Sequence, residues 1–274
     1  MYTVDGLGPE GAGWLLFITG SGIRGTSGRV GGLLELPGMD GGIPQMGAPF
    51  MPGTLTLRYR ILVSTHEEFM AIIEKFNGVF GQRRKLLPIT HAYSGSVSRM
   101  NYGTVLETIV PEPVSNDYAY YQVTLTLPEP FWRSPLTYTI PTPALTETLT
   151  AQILTNLDGT GPINDALIRV KGAFSTAVVE DYVTGDRITV NTPLTATQYV
   201  VIDCANWTAR RVTTDTWTGG TDISALVSSN KGRGPMLTLE PDNVINAGRY
   251  RLRVQATNPA SSPVAEVRAR KSYH

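Results

Sequence analysis

Two stretches of the chain alternate strictly between apolar and polar residues. Residues 53–63 read GTLTLRYRILV, with Leu55, Leu57, Tyr59, Ile61 and Val63 on one side and Thr54, Thr56, Arg58 and Arg60 on the other. Residues 118–127, YAYYQVTLTL, alternate in the same way until Pro128 removes a backbone donor. A period of two residues predicts half-buried β-strands at both places.

A helical pattern lies between these two strands. Thr65 and Glu68 have the spacing of a capping box, so we expect a helix over 65–77 that ends at Asn77-Gly78. Its apolar residues recur at helical spacing: Phe69, Ile72, Ile73 and Phe76. Burying four such side chains stabilises by roughly 1.5–3 kcal/mol each, so the helix is expected to lie on a sheet.

The second half of the chain repeats short strand patterns separated by turn residues. They cover residues 166–172, 175–182, 187–190, 198–205, 236–241, 249–257 and 264–270. This spacing predicts an antiparallel β-sandwich. Before it, residues 134–152 are rich in Pro and Thr and show no period, which is typical of a linker or an exchanged arm. We therefore expect a mainly β protein with domains at 1–135 and 153–274, joined by a linker over 136–152.

The composition restricts the partners. Of the 274 residues, 23 are Lys or Arg and 23 are Asp or Glu, so no global field would attract a nucleic acid or an anionic membrane. WLLFI is too short to cross a bilayer, and the N-terminus lacks the features of a signal peptide, so folding in a cytoplasm is expected. Cys204 lies in an apolar run and is interpreted as a buried, inert thiol.

Motifs for cofactors and catalysis are weak. GSGIRG at 20–25 matches a dinucleotide-binding turn, but the glycine-broken sequence after it is not a helix that could receive a pyrophosphate. The histidines His66, His91 and His274 do not have metal-ligand spacing. No cofactor, metal or enzymatic activity is expected. The carboxylates that could converge as an acid/base pair are scattered along the second half: Asp181, Asp186, Asp203, Asp215, Asp222 and Glu240.

Two groups in the second half are candidate contact residues. Arg249, Arg251 and Arg253 share one strand face, and we expect Arg268 and Arg270 on the neighbouring strand. Such crowding of like charge requires opposing acidic groups, which another subunit would supply. Separately, the aromatic rings of Trp207 and Trp217, near Arg210, are candidate saccharide contacts, with core or loop packing as the alternative.

Phe131 and Trp132 form an apolar pair among prolines just after the second alternating strand. A ligand platform, a domain seam and a subunit contact are all compatible with this pair. We favour a seam, in which both side chains fill the end of the first core or contact a neighbouring subunit where the linker departs.

Several stretches together resemble the distal tail proteins of siphophages. They are GLLELPGMDGG (32–42), the strand and helix of 53–78, YYQVTLTLPEPFWRSP (120–135), VVEDYVTGDRITV (178–190), QYVVIDCANWTARRV (198–212) and MLTLEPDNVINAGRYRLRVQ (236–255). The resemblance implies an N-terminal β-sandwich or split-barrel domain with one helix, followed by a galectin-like β-sandwich.

The resemblance also implies a virion protein, assembled in the host cytoplasm, that forms a homohexameric ring. The ring would join the tail-tube protein to tail-tip and tail-associated proteins. DNA and the tape measure would pass through its channel without specific binding, because basic walls would retain a polyanion.

Two other functions are kept open. The first is a host-surface carbohydrate-binding module of the tail tip, although the second domain has no histidine before His274 and so departs from the sugar-binding galectins. The second is a wall-degrading hydrolase, which would need two convergent carboxylates.

Overall fold

The computed structural model describes residues 1–17, 51–82, 85–92, 98–105, 111–115, 118–232, 234–244 and 246–274, with the backbone of Gly22–Ile23, Leu33–Glu35 and Gly42–Pro44. The chain divides into two compact units, residues 1–132 with His274, and residues 133–273. The GSGIRG motif at 20–25 lies largely outside the described residues.

The first unit is built on β-strands with one helix. Its elements are β1 (Tyr2–Val4), β2 (Glu10–Gly11), β3 (Trp14–Leu16), β4 (Gly22–Ile23), β5 (Leu33–Glu35), β6 (Gly42–Pro44), β7 (Gly53–Leu62), α1 (His66–Phe80), β8 (Leu87–Ala92), β9 (Ser98–Val105), β10 (Glu112–Pro113) and β11 (Tyr118–Leu127).

The antiparallel pair of β7 and β11 is the centre of the first unit. The two strands pair along their whole length, from Gly53 opposite Leu127 to Leu62 opposite Tyr118. The predicted alternation is confirmed, because one face is buried: Leu55, Leu57, Tyr59 and Ile61 of β7 with Tyr121, Val123, Leu125 and Leu127 of β11. β3 and β4 pair with the other side of β7, and β9 and β10 pair with β11.

Helix α1 covers the buried face of this pair. The ring centre of Phe76 lies 4.9 Å from that of Tyr59 and 4.9 Å from that of Tyr121, both in edge contacts. The predicted capping box is present: the Thr65 hydroxyl accepts from the Glu68 backbone N–H at 3.3 Å, and the Glu68 carboxylate accepts from the Thr65 N–H at 3.3 Å. The helix therefore lies on a sheet, as the sequence predicts.

The predicted end of the helix at Asn77-Gly78 is wrong, because α1 continues to Phe80. Gly78 costs a helix about 1 kcal/mol relative to alanine. The extension buries the ring of Phe80 against Tyr59 and Tyr121, which is worth roughly 1.5–3 kcal/mol. Tertiary packing therefore outweighs the local stop signal.

The second unit contains the remaining strands. They are β12 (Trp132–Ala144), which starts at the last residue of the first unit, β13 (Thr150–Asp158), β14 (Leu167–Ala173), β15 (Thr176–Asp181), β16 (Arg187–Val190), β17 (Tyr199–Asp203), β18 (Thr208–Val212), β19 (Thr221–Asp222), β20 (Val227–Ser229), β21 (Pro241–Asp242), β22 (Arg249–Thr257) and β23 (Ala260–Tyr273). A 3₁₀ turn lies at Ser224–Leu226.

These strands form the predicted antiparallel sandwich. One sheet has the order β19-β18-β17-β14-β23-β12, and the other has the order β13-β22-β15-β16-β20. Inward residues of both sheets build one core, among them Ile168 and Val200 from the first sheet and Val179 and Leu252 from the second. Cys204 is buried in this core, and burial raises the pKa of its thiol. These surroundings agree with the expectation of a buried, inert thiol.

The expected linker at 136–152 is instead largely strand. β12 runs to Ala144, Leu145 is buried in the core, and β13 starts at Thr150. Threonine favours strands, and a proline is compatible with a strand wherever no ladder donor is required. The Pro/Thr composition therefore does not distinguish this strand from a linker. In the part of the chain that the structure describes, no helix has the length and apolar character of a membrane span.

Replacing Phe76 by alanine should destabilise the first unit by about 3–5 kcal/mol, because the substitution removes the ring that contacts both central strands. Met70→Ala, on the exposed side of the same helix, is the matched control and should change stability by less than about 1 kcal/mol. Urea unfolding followed by tryptophan fluorescence measures both effects. Equal losses in the two variants would contradict the packing of α1 on the sheet.

Candidate functional surfaces

Phe131 and Trp132 are both buried in the first unit. The Trp132 ring centre lies 6.1 Å from that of Tyr2 and 5.9 Å from that of His91, and the Phe131 ring centre lies 5.1 Å from that of His274. Burial lowers the pKa of His91 to about 4, and the positive charges of the N-terminus and Arg99 contribute in the same direction. The imidazole is therefore neutral, and it stacks on Tyr2 with the two ring centres 4.1 Å apart.

The buried side-chain amide of Asn101 holds the backbone at Phe131, next to Trp132. The Asn101 Nδ2 donates to the carbonyl oxygens of Glu129 at 3.0 Å and Phe131 at 3.2 Å. Asn101 thus donates hydrogen bonds to two backbone carbonyls in a stretch where Pro128 and Pro130 have no backbone N–H to offer a regular ladder. The boundary between the units follows directly after Trp132. A role for Phe131 and Trp132 in a domain seam or subunit interface stays a prediction.

Two of the three candidate arginines of β22, Arg251 and Arg253, pair with acidic residues of their own unit. Arg251 Nη1 lies 3.1 Å from Asp242 Oδ2, and Arg253 Nη1 lies 2.8 Å from Glu180 Oε1. Both guanidinium groups also lie over the ring of Tyr182, at 3.5 and 4.5 Å from its centre. Acidic groups of the same unit therefore lie opposite Arg251 and Arg253, so the charge of these two residues does not require another subunit.

The expected neighbourhood of these arginines is also wrong. Arg268 and Arg270 lie on β23, which belongs to the other sheet, while β22 pairs with β13, β15 and β21. Chain order suggested adjacency, but in a sandwich consecutive strands often cross between sheets. An interface role for Arg249, Arg251 and Arg253 stays a prediction, but crowding of like charge no longer supports it.

Trp207 lies at the tip of the β17–β18 hairpin. Its backbone has φ of +56°, its ring is partly exposed, and its indole N–H donates to the carbonyl of Gly234. A left-handed conformation is unusual for a bulky residue, so the turn holds it under strain. Asp203 stabilises this turn by accepting from the backbone N–H groups of Ala205 and Asn206, each at 3.1 Å.

Trp217 packs at the other end of the hairpin, on the outer face of the sheet. It contacts Tyr199, Val201 and Val212. Arg210 lies opposite Val201 in the register, so it belongs to the same face of the sheet as the residues on which Trp217 packs. Trp207 lies outside the strands, in the turn between β17 and β18. The saccharide role of Trp207, Trp217 and Arg210 stays a prediction.

Sequence reasoning missed the residue that organises this face. Arg169, 5% exposed, lies between aromatic rings, 4.5 Å from the centre of Trp217 and 5.0 Å from that of Tyr199. It pairs with Glu266 and with Asp215, each at 2.5 Å. Alternation in LIRVKG could have placed Arg169 on the outer face, but its acidic partners are distant in sequence.

The candidate carboxylates serve local structure. Asp181 is buried and accepts from the backbone N–H groups of Val183, Thr184 and Glu240, and from the Thr184 hydroxyl. Asp186 pairs with Lys231 at 2.5 Å, and Asp222 accepts from Ser224. Burial raises the pKa of Asp181 to about 6, although the hydrogen bonds that its carboxylate accepts act to lower it. Within the described ranges, no three His, Cys, Asp or Glu residues are grouped so as to hold a metal ion.

The architecture defines a class of mainly β proteins with a helix-covered sheet followed by an antiparallel sandwich. One solved structure with a similar fold is the SPP1 Dit (gp 19.1) protein, described as a paradigm of the hub adsorption apparatus in phages that infect Gram-positive bacteria. That likeness has a TM-score of 0.64 and 15% identity, and it covers 100% of both chains. The fold expected from the sequence resemblance is thus confirmed.

A second likeness is weaker. The phage P2 baseplate in its activated conformation matches with a TM-score of 0.37 and 10% identity, over 95% of this chain and 91% of that chain. At this level the similarity supports no argument. No protein-family model matches the chain, and no curated protein matches it.

Replacing Trp132 by alanine should lower the stability of the first unit by about 3–5 kcal/mol, because the substitution leaves a cavity beside Tyr2 and His91. Leu136→Ala, an exposed position on the same strand, should have an effect near zero. Thermal unfolding of the two variants measures the difference. An unchanged melting curve for Trp132→Ala would contradict its structural role.

Asp181 should make stability depend on pH. Its folded pKa of about 6 exceeds its ordinary value of 3.8, so its contribution to stability is fully present below pH about 4 and is lost as pH rises through 6. Relative to Asp181→Asn, the wild type should lose about 2–3 kcal/mol between pH about 4 and pH about 7.5. The free energy of unfolding in urea, measured at several pH values, tests this prediction. If it changes with pH in parallel for the two proteins, Asp181 is not the source of the pH dependence.

Proposed function

We propose that the chain is a structural component of a bacteriophage tail tip, a distal tail hub protein. The observation that carries this proposal is the match to the SPP1 Dit hub protein over the full length of both chains. The match includes both units, so it does not rest on a single common β-sandwich.

The proposed assembly is a homohexameric ring. One side of the ring would bind the tail-tube protein and the other side would bind tail-tip and tail-associated proteins. DNA and the tape measure would pass through the channel without specific binding, in agreement with equal numbers of basic and acidic residues, 23 each. The protein would be assembled in the host cytoplasm and reside in the virion.

The electrostatics of the second unit support a structural role rather than catalysis. The buried Asp181 holds a turn, and Arg169, Arg251 and Arg253 are each neutralised by a carboxylate of their own unit. A catalytic acid/base pair needs two carboxyl groups facing one substrate position. Five of the candidate carboxylates instead accept from backbone groups or pair with cations: Asp181, Asp186, Asp203, Asp215 and Asp222.

The proposal predicts that the purified protein forms a ring with a central hole in negative-stain micrographs. Light scattering should give a mass of about six times the chain mass of 29.7 kDa. A protein that stays monomeric at high concentration would contradict the proposed function.

A further inference from the structure

Strand β13 (Thr150–Asp158) forms one edge of the second sheet of the sandwich. Among the described residues it pairs with β22 alone, so the side of β13 that points away from β22 has no ladder partner. The opposite edge of this sheet, β20, has only three residues. An edge strand presents backbone donors and acceptors that can pair with another chain.

Hydrogen bonds of β22 show which way its backbone groups point. The Ala256 N–H donates to the carbonyl oxygen of Thr146, just before β13, at 2.9 Å. The Arg251 carbonyl oxygen accepts from the N–H of Tyr182, just after β15, at 3.1 Å. Because these groups alternate along a strand, the even-numbered residues of β22 face β13 and the odd-numbered residues face β15.

The same alternation identifies the unpaired groups of β13. Gln152 lies opposite Leu252, an even-numbered residue, so the two form a hydrogen-bonded pair. The neighbours of Gln152 on β13, Ala151 and Ile153, therefore direct their N–H and C=O groups away from the sheet. This edge thus presents the donor and the acceptor of both residues to a further strand.

The edge also lacks the prolines and charges that usually prevent pairing. Residues 148–157, TLTAQILTNL, contain no Pro, Lys, Arg, Asp or Glu. Leu149 is 36% exposed and Ile153 is 40% exposed. Natural edge strands are commonly protected by lysine, proline or a bulge. β13 has a register shift between Ile153 and Asp158, which limits the regular edge to its first residues.

We propose that this edge binds the same edge of a second copy of the chain, as an antiparallel pair with its twofold axis at Gln152. Ala151 of each copy then lies opposite Ile153 of the other, so the unpaired groups of both residues form backbone hydrogen bonds. The small side chain of Ala151 leaves room for that of Ile153. Since the run is uncharged, no like charges meet across the contact.

The contact is isologous, because both chains use the same surface. It therefore differs from the head-to-tail contacts that close a ring, and it links a chain of one assembly to a chain of a second assembly. The inference goes beyond the proposed ring and does not rest on it. Because few hydrogen bonds form per chain, we expect a weak contact that depends on protein concentration.

The mass of the full-length protein in light scattering, measured over a series of concentrations, tests the contact. The mass of the dilute species should double as concentration rises, because each assembly pairs with a second one. Ile153→Lys should raise the concentration at half-doubling by at least about tenfold, since lysine on an edge strand opposes pairing.

The matched control is Val183→Lys, because Val183 is 48% exposed and lies in the turn between β15 and β16. This change should leave the doubling unaffected. Far-ultraviolet circular dichroism and melting temperature establish that both variants fold.

A cysteine at the twofold axis tests the register without changing Ile153. The Cα atoms of a non-hydrogen-bonded antiparallel pair lie about 4.5 Å apart, within the disulfide range of about 4.4–6.8 Å. With oxidised glutathione, Gln152→Cys should therefore form a disulfide-linked dimer at least about tenfold faster than Thr214→Cys, an exposed position between β18 and β19. Non-reducing gel electrophoresis measures both rates, and the native Cys204 gives no background because it is buried.

Three results would overturn the proposal: a wild-type mass that never doubles, equal doubling in Ile153→Lys, or cross-linking of Gln152→Cys no faster than its control. An edge that pairs only with another tail protein would give the first of these. If Ile153→Lys does not fold, the cross-linking comparison decides. Failure of the proposed function is distinguishable, since it appears as a single chain in dilute solution, whether or not the mass then doubles.

Discussion

The pairing of β7 with β11 is the constraint on which the first unit depends. With Leu62 opposite Tyr118, every second residue points to α1, where Tyr59 and Tyr121 contact Phe76. The other residues then necessarily form the opposite face. A shift of one residue in register would exchange the two faces, exposing the core and burying Arg58. One register therefore generates both the core of the unit and the opposite face, which bears Arg58 and Arg60.

In the second unit, charged residues serve the sandwich. Arg251 and Arg253 have acidic partners on neighbouring elements and share the ring of Tyr182. Arg169 is held between two aromatic rings and two carboxylates. Groups engaged in this way contribute to a rigid unit and are not poised for proton transfer. A rigid sandwich of this kind is compatible with the structural role that we propose.

Local patterns in the sequence were reliable where one physical cause dominated. Alternation predicted β7 and β11, and the Thr65–Glu68 spacing predicted the start of α1. Predictions failed where distant residues decide the outcome. Phe80 extends the helix by packing, residues 136–152 are largely strand, and Arg268 belongs to the other sheet. The partners of Arg169 likewise depend on sheet order, which no local pattern contains.

The central claim is that this chain completes its exposed surfaces with copies of itself. A cryo-electron microscopy map of the purified, assembled protein tests it most directly. The account predicts a closed ring of six subunits around a central hole. Single particles of one chain would contradict the account.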